Sequence, residues 1–277
     1  MIKPVRPKTL KELARVLARH GARALVVPEA EPALRTPPKA VVVDISKIPS
    51  FSRLVNSRGE VSFGSGITLG QLLHQVDGEN GLLKQALSML ANPLIRNRIT
   101  VLEALGLDSP YFDLATALVT LGAKVRLQSP GASRTLSMND FLLEAAEGLK
   151  KGEFPAKVDF TAMDSSYRVG FFRVNPGTGK PTVSASIRSK LRRNVALNPE
   201  IVVSSSTVIP IRAQKGEKAL NRQTLTDVNV KVASEASAAE MIEISHLEED
   251  DAYERSLIEV AVSRAIRRLQ EGPPLIA

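Results

Sequence analysis

Residues Ile95–Ala123 read IRNRITVLEALGLDSPYFDLATALVTLGA. The last third of this stretch, Leu114–Leu121, is a strong helical run, and Asp113 stands directly ahead of it at the position of a helix N-cap. Upstream, Ala86–Leu90 also reads as helix. Downstream, Lys124–Leu127 and Arg134–Leu136 read as strands around a Pro130–Gly131 turn. Met138–Gly148 then reads as a helix that starts near Ser137 or Asn139.

Toward the N-terminus, Thr9 and Glu12 have capping-box spacing. Leu10, Leu13 and Leu17 share one helical face, and Gly21 stops the helix. A strand at Ala24–Val27, a Pro- and Glu-rich loop through Pro38, and a β-branched strand at Ala40–Ile45 make a βαβ-like opening that predicts a small parallel pair. Glu60–Gly64 reads as a strand, and Thr68 with Gln71 caps a helix through Val76. Beyond Gly152 the pattern changes. Val158–Met163 and Tyr167–Val174 alternate as strands, Asn175–Gly179 is a turn and Thr182–Ile187 the returning strand. Ile201–Val203 and Thr207–Ile211 add strand material, and two helices, about Ala213–Leu220 and Asp251–Leu269, close the chain. The domain boundary is expected between Asp159 and Ser166, and there is no internal repeat.

With 277 residues and 43% hydrophobic content the chain can bury a core, built on aliphatic side chains because aromatics make up only 4%. The absence of Cys excludes disulfides, iron–sulfur ligation and thiolate zinc sites within the chain. No secretory h-region opens the sequence and no run approaches a membrane span, so a cytoplasmic location is expected. The net charge of +8 permits acidic partners, and its densest run is Arg188, Lys190, Arg192 and Arg193. Without interleaved aromatics that run is a poor platform for single strands, so no nucleic-acid partner is expected.

Local motifs have ordinary explanations. Phe63–Gly70, FGSGITLG, is out of register with a dinucleotide fingerprint and reads as a strand-to-helix turn. In Asn175–Thr182, NPGTGKPT, Val174 replaces the first glycine of a phosphate loop and Pro181 replaces its Ser or Thr, leaving a hairpin turn. Ser204–Ser206 lacks a neighbouring base. His20, His74 and His246 sit in separate elements with no metal-ligand spacing, and Glu248–Asp251 reads as helix initiation rather than a calcium loop.

Across nearly its whole length the chain resembles the FAD-binding medium subunit or domain of molybdenum hydroxylases, the xanthine dehydrogenase and carbon monoxide dehydrogenase family. Pro7, the Leu10–Leu17 helix, Ala24–Val27 and Val41–Asp44 match its opening, and Phe63–Thr68 its IGA-x-T element. Ile95–Ala123 follows its IRN-x-A-T-I-G-G-N … S-P … D-L … A-L … L-G-A segment in step. Gly152–Glu153, Tyr167–Arg173, Pro210–Arg212 with Glu217 and Leu220, and Tyr253 through Arg264-Ala265 extend the match. The resemblance implies an α+β fold: two FAD-type subdomains, residues 1–58 and 59–160, followed by a smaller α+β domain, residues 161–277, with an antiparallel sheet and helices. It implies FAD as cofactor, with Val27, Glu31, Thr100, Val101, Ser109, Asp113 and Arg168 at cofactor-binding positions. Asp113 stays equally readable as a helix cap, and Arg168 as a solvent-facing strand residue. The implied partners are a molybdenum-cofactor large subunit and a [2Fe–2S] small subunit, with homo-oligomers also open. The implied role is electron relay from the clusters through flavin, and a non-catalytic scaffold, docking or assembly subunit is the alternative.

The glycines that let backbone N–H groups approach the flavin diphosphate are missing here. The first loop reads Val27-Pro28-Glu29-Ala30-Glu31 and the second Thr100-Val101-Leu102-Glu103-Ala104. A carboxylate about 4 Å from a phosphate charge costs about 1 kcal/mol in water and about 4 at an effective dielectric near 20. Weak or lost FAD binding in the familiar pose is therefore expected.

Overall fold

The computed structural model describes residues 4–27, 39–76, 81–106, 109, 113–174, 183–205, 209–245 and 252–271. In chain order the elements are α1 (Leu10–His20), β1 (Ala24–Val27), β2 (Val41–Asp44), β3 (Leu54–Ser57), β4 (Glu60–Gly64), α2 (Leu69–Gln75), α3 (Gly81–Leu90), α4 (Pro93–Arg96), α5 (Val101–Ala104), α6 (Leu114–Thr120), β5 (Lys124–Gln128), β6 (Ser133–Ser137), α7 (Met138–Glu147), β7 (Phe154–Thr161), β8 (Tyr167–Val174), β9 (Val183–Arg192), β10 (Val195–Ser204), β11 (Ile211–Arg212), α8 (Gln214–Leu220), α9 (Asp227–Ser245) and α10 (Ala252–Arg267). The fold is α+β, as expected. The chain divides into two compact units, Met1–Gln75 with Asn92–Ser109 and Gly122–Thr161, and Val76–Ala91 with Pro110–Leu121 and Ala162–Ala277. Helices α3 and α6 thus belong to the second unit although the chain reaches them from the first.

In the first unit β1 and β2 form the expected parallel pair, in register from Ala24↔Val41 to Val27↔Asp44. The second sheet, β3-β4-β7-β5-β6, is antiparallel throughout. Leu13 and Ala14 of α1 share a core with Val43, Ile45, Ile48, Phe51, Phe154 and Ala156, where the Phe51 and Phe154 rings meet edge to face at 5.7 Å. Thr9 Oγ1 caps α1 by accepting from the Glu12 N–H at 3.1 Å. The return contact differs from a strict capping box, because Glu12 Oε2 accepts from the N–H of Lys8 at 2.7 Å, one residue earlier.

Arg134 of β6 forks between Glu144 of α7 and Glu153. Hydrogen bonds from this guanidinium hold the Glu153 carboxyl below its usual value of about 4.3. A depressed carboxylate contributes stability that is present above its unfolded pKa and disappears as pH falls through the folded value. Glu153→Gln is therefore expected to flatten the fall in stability below about pH 4.3. Urea titrations at several acidic pH values check this, and an unchanged slope would count against it.

In the second unit the sheet order is β11-β10-β9-β8, antiparallel. Strand β9 runs on to Arg192, beyond the expected end at Ile187. Strand β7 stops at Thr161, short of Met163. Val183, Ile187, Ile201 and Val203 from the sheet meet Met241 of α9 and Ile258, Val262 and Ile266 of α10 in one core. Helix α3 covers the free edge of β8: Gln85 Oε1 accepts from the Phe171 N–H at 2.9 Å, so its side chain takes the place of a neighbouring strand.

Helix α9, 19 residues long, is not foreshadowed by a Leu or Ile stripe. Its buried positions include Ala233, Ser234, Ser237 and Ala238, small residues that give little hydrophobic periodicity. They serve close helix approach instead, since a Cβ on Gly216 of α8 would lie 1.9 Å from Ser237 Oγ. Short helices α4 and α5 also fall where loop was expected. The turn at Asn175–Thr182, the first loop beyond Val27, His246 and Glu248–Asp251 lie outside the described residues.

Candidate functional site

The candidate cradle in the first unit is built from two adjacent segments. The first is the Phe63–Gly70 turn, which leads from β4 into α2. Its glycines answer to the protein's own packing. A Cβ on Gly64 would lie 2.2 Å from Phe51 O, one on Gly66 would meet the Phe51 ring, and one on Gly70 would lie 2.1 Å from Asn97 Oδ1. Thr68 and Gln71 cap α2 reciprocally, each side chain accepting from the other's N–H at 3.1 Å.

The second segment is Thr100–Ala104. It is a helical turn rather than a loop. Thr100 Oγ1 accepts from the Glu103 N–H, while Glu103 Oε2 accepts from the Thr100 N–H at 2.8 Å and from its hydroxyl at 2.7 Å. This complete capping box has the same T-x-x-E/Q spacing as Thr68–Gln71, and that spacing is the signal by which the turn is legible in sequence. Thr100, Val101 and Ala104 are buried.

The two segments lie side by side through a Thr68↔Thr100 bridge. Leu69 N–H donates to Ile99 O, Val101 N–H to Ile67 O and Leu102 N–H to Ser65 O. The remaining donors are engaged too. Gly64, Ser65 and Gly66 donate to Arg53 O, Ala156 O and Phe51 O, Ile67 to Gly64 O, and Ala104, Leu105 and Gly106 within the helical turn. Every backbone N–H from Gly64 to Leu69 and from Thr100 to Gly106 therefore has a partner inside the chain. A diphosphate cradle works through unengaged N–H groups aimed at the ligand. These two segments offer none, and Glu103 already supplies the negative charge at the turn's N-terminus, so they do not fit the diphosphate of FAD.

A substitution separates packing from ligand binding at Gly64. Gly64→Ala forces Phe51 O and C, at 2.2 and 2.4 Å from the new methyl, to move, although Gly66 N–H also bonds to Phe51 O. The expected loss is about 2–4 kcal/mol, from overpacking and a weakened hydrogen bond. Gly131→Ala, with open space around it, serves as the control. A Gly64→Ala melting temperature within about 2 °C of the parent, or about 1 kcal/mol, would contradict the packing account.

The other sequence-predicted positions are distributed as follows. Val27 ends β1, buried, with its carbonyl accepting from Ile45 N–H at 3.1 Å. Glu31 lies outside the described residues. Ser109, in the first unit, donates its N–H to Gly106 O. Asp113 and Arg168 belong to the second unit. Asp113 sits at the N-cap of α6, but its side chain does not cap the helix. It pairs instead with Arg173 of β8 at 2.5 Å, both groups largely buried, while Arg173 also donates to Leu90 O at 2.9 Å. No local pattern joins residues 113 and 173, so this pair is invisible in sequence. Arg168 is exposed on β8, opposite Ser189. Ser204 is buried in a triangle of hydroxyls with Thr116 and Ser184, at 2.7–3.0 Å, which satisfies its polar group without a base.

Among the described residues no cluster of His, Cys, Asp or Glu suits a metal ion, and no helix is long and apolar enough to cross a membrane.

The family model for the FAD binding domain in molybdopterin dehydrogenase matches residues 1–160. The nicotine 6-hydroxylase medium subunit of Paenarthrobacter nicotinovorans is 24% identical over 237 residues, covering 84% of this chain and 83% of that one. The glyceraldehyde dehydrogenase medium chain of Sulfolobus acidocaldarius is 22% identical and covers 82% of each. Among solved structures, a chain of carbon monoxide dehydrogenase from Hydrogenophaga pseudoflava superposes with a TM-score of 0.76 at 20% identity, covering 97% of both chains.

Proposed function

Given that the chain belongs to the family of FAD binding domains in molybdopterin dehydrogenases, we propose that it is the medium subunit of a cytoplasmic molybdenum hydroxylase complex that has given up tight flavin binding and serves as a docking body. Its partners in this reading are a molybdenum-cofactor large subunit and a [2Fe–2S] small subunit. The relatives' designations as medium subunit and medium chain support that placement. The fold persists over the length of those relatives, and a chain without Cys leaves iron–sulfur ligation to another subunit.

The observation that carries the reading is the complete internal pairing of the backbone N–H groups at Gly64–Leu69 and Thr100–Gly106. FAD, when a family member holds it, supplies the redox chemistry, and the protein's part is binding and orientation. Here Thr100 and Glu103 hold each other instead. The competing reading, electron relay through bound flavin, makes the opposite prediction for a single measurement. The absorbance spectrum of the purified chain is expected to show no flavin band, and a stoichiometric band overturns the proposal.

A further inference from the structure

The β9–β10 hairpin closes through Arg193–Asn194, between the paired residues Arg192 and Val195. Both turn residues are left-handed, with φ of 49° and 64°, the geometry that ordinarily selects Asn-Gly. Asn194 is tied down: its carbonyl accepts from Leu225 N–H at 2.9 Å and its side-chain oxygen from Gln270 Nε2 at 3.0 Å. Arg222, also left-handed at φ 63°, donates its N–H to Ala196 O at 2.7 Å. These bonds gather the hairpin tip, residues 221–227 and the end of α10 at one end of the second unit.

Five arginines lie there. Arg192, Arg193 and Arg222 are exposed, and their side chains have no partner among the described residues. Arg267 pairs with Asp227 at 2.8 Å, and Arg268 lies over the Phe172 ring and 3.7 Å from Glu271. Arg193 and Arg222 occupy backbone conformations that strain any side chain, yet their guanidinium groups give the fold no contact in return. Helix α9 starts at the same end and exposes Val228 and Val232, at 70% and 48%.

We infer that this arginine-rich end docks an acidic protein surface, the one deepening of the subunit role proposed above and resting on it. Arginine beside exposed apolar side chains is the composition of a protein interface. Nucleic acid is disfavoured because the nearby Tyr167 ring is already flanked by Lys190 and Arg188, leaving no bare stacking face.

The test measures binding of poly-L-glutamate by the full chain across a salt series. Arg192→Ser/Arg193→Gly/Arg222→Gly is compared with Lys8→Ser/Lys11→Ser/Arg15→Ser, which removes the same charge from exposed positions on and just before α1. The first variant is expected to bind about tenfold more weakly and the control to stay within about twofold of the parent. The first variant also keeps or raises the melting temperature, because glycine relieves the left-handed positions, whereas a purely structural role for these arginines would lower it. Equal losses in both variants, or unchanged binding in the first, overturn the docking surface. Tighter binding of a single-stranded oligonucleotide or of phosphatidylserine vesicles through the same three arginines also overturns the assignment to protein. A chain that holds FAD tightly yet shows the arginine effect defeats the proposed function and leaves the surface standing.

Discussion

Titrated with FAD, the purified chain is expected to bind about 10²–10⁴-fold more weakly than a cradle with two free donors, because each charge-assisted hydrogen bond is worth about 1.5–3 kcal/mol and two are forgone. The forgone donors can be named. The Thr100 N–H and hydroxyl both point at Glu103 Oε2, and the Val101 and Leu102 N–H groups point at carbonyls of the Ile67 and Ser65 segment. For a diphosphate to enter, Glu103 must leave its capping position and then face a second anion at close range, which adds repulsion to the lost cap. Fluorescence quenching of FAD on titration reads the affinity directly. Glu103→Gly releases both Thr100 donors and removes the charge, so it is expected to tighten FAD binding by about tenfold while circular dichroism stays unchanged. Tight binding by the parent, or no gain in the variant, would show that this turn does not govern the flavin.

The second large effect lies in the second unit. Arg173→Met is expected to lower the unfolding free energy by about 3–5 kcal/mol, because it strands a buried carboxylate. Asp113 is only 7% exposed and Arg173 only 10%. The substitution also takes a donor from Leu90 O, at the end of α3. The destabilisation comes mainly from the uncompensated charge, so Asp113→Asn added to Arg173→Met should restore most of the loss. Urea unfolding checks this through the midpoint, with the slope unchanged. A single variant that costs less than about 1 kcal/mol would mean the pair is effectively solvated.

Much of the fold was legible before any coordinates. The α1 cap at Thr9, the reciprocal Thr68–Gln71 cap and the β5–β6 hairpin rest on residues three or four apart, or on alternation within one strand, and each formed as read. The parallel β1–β2 pair followed from two short apolar strands joined by a loop. Helix α9 escaped because its buried stripe is Ala and Ser, whose value is small volume against α8 rather than hydrophobicity. The Thr100–Glu103 box was equally local, but read against a glycine loop it was taken for an eroded ligand wall instead of a cap.

From sequence alone came the α+β class, the family and the missing glycines, since caps, periodicity and motif spacing are properties of neighbouring residues. Only the tertiary structure decided where the N–H groups of Gly64–Leu69 and Thr100–Gly106 point, and that Asp113 meets Arg173 instead of its own helix. Those partners lie dozens of residues away along the chain or across a turn packed by Phe51, and a hydrogen bond is chosen by distance in space, which no spacing in the sequence encodes.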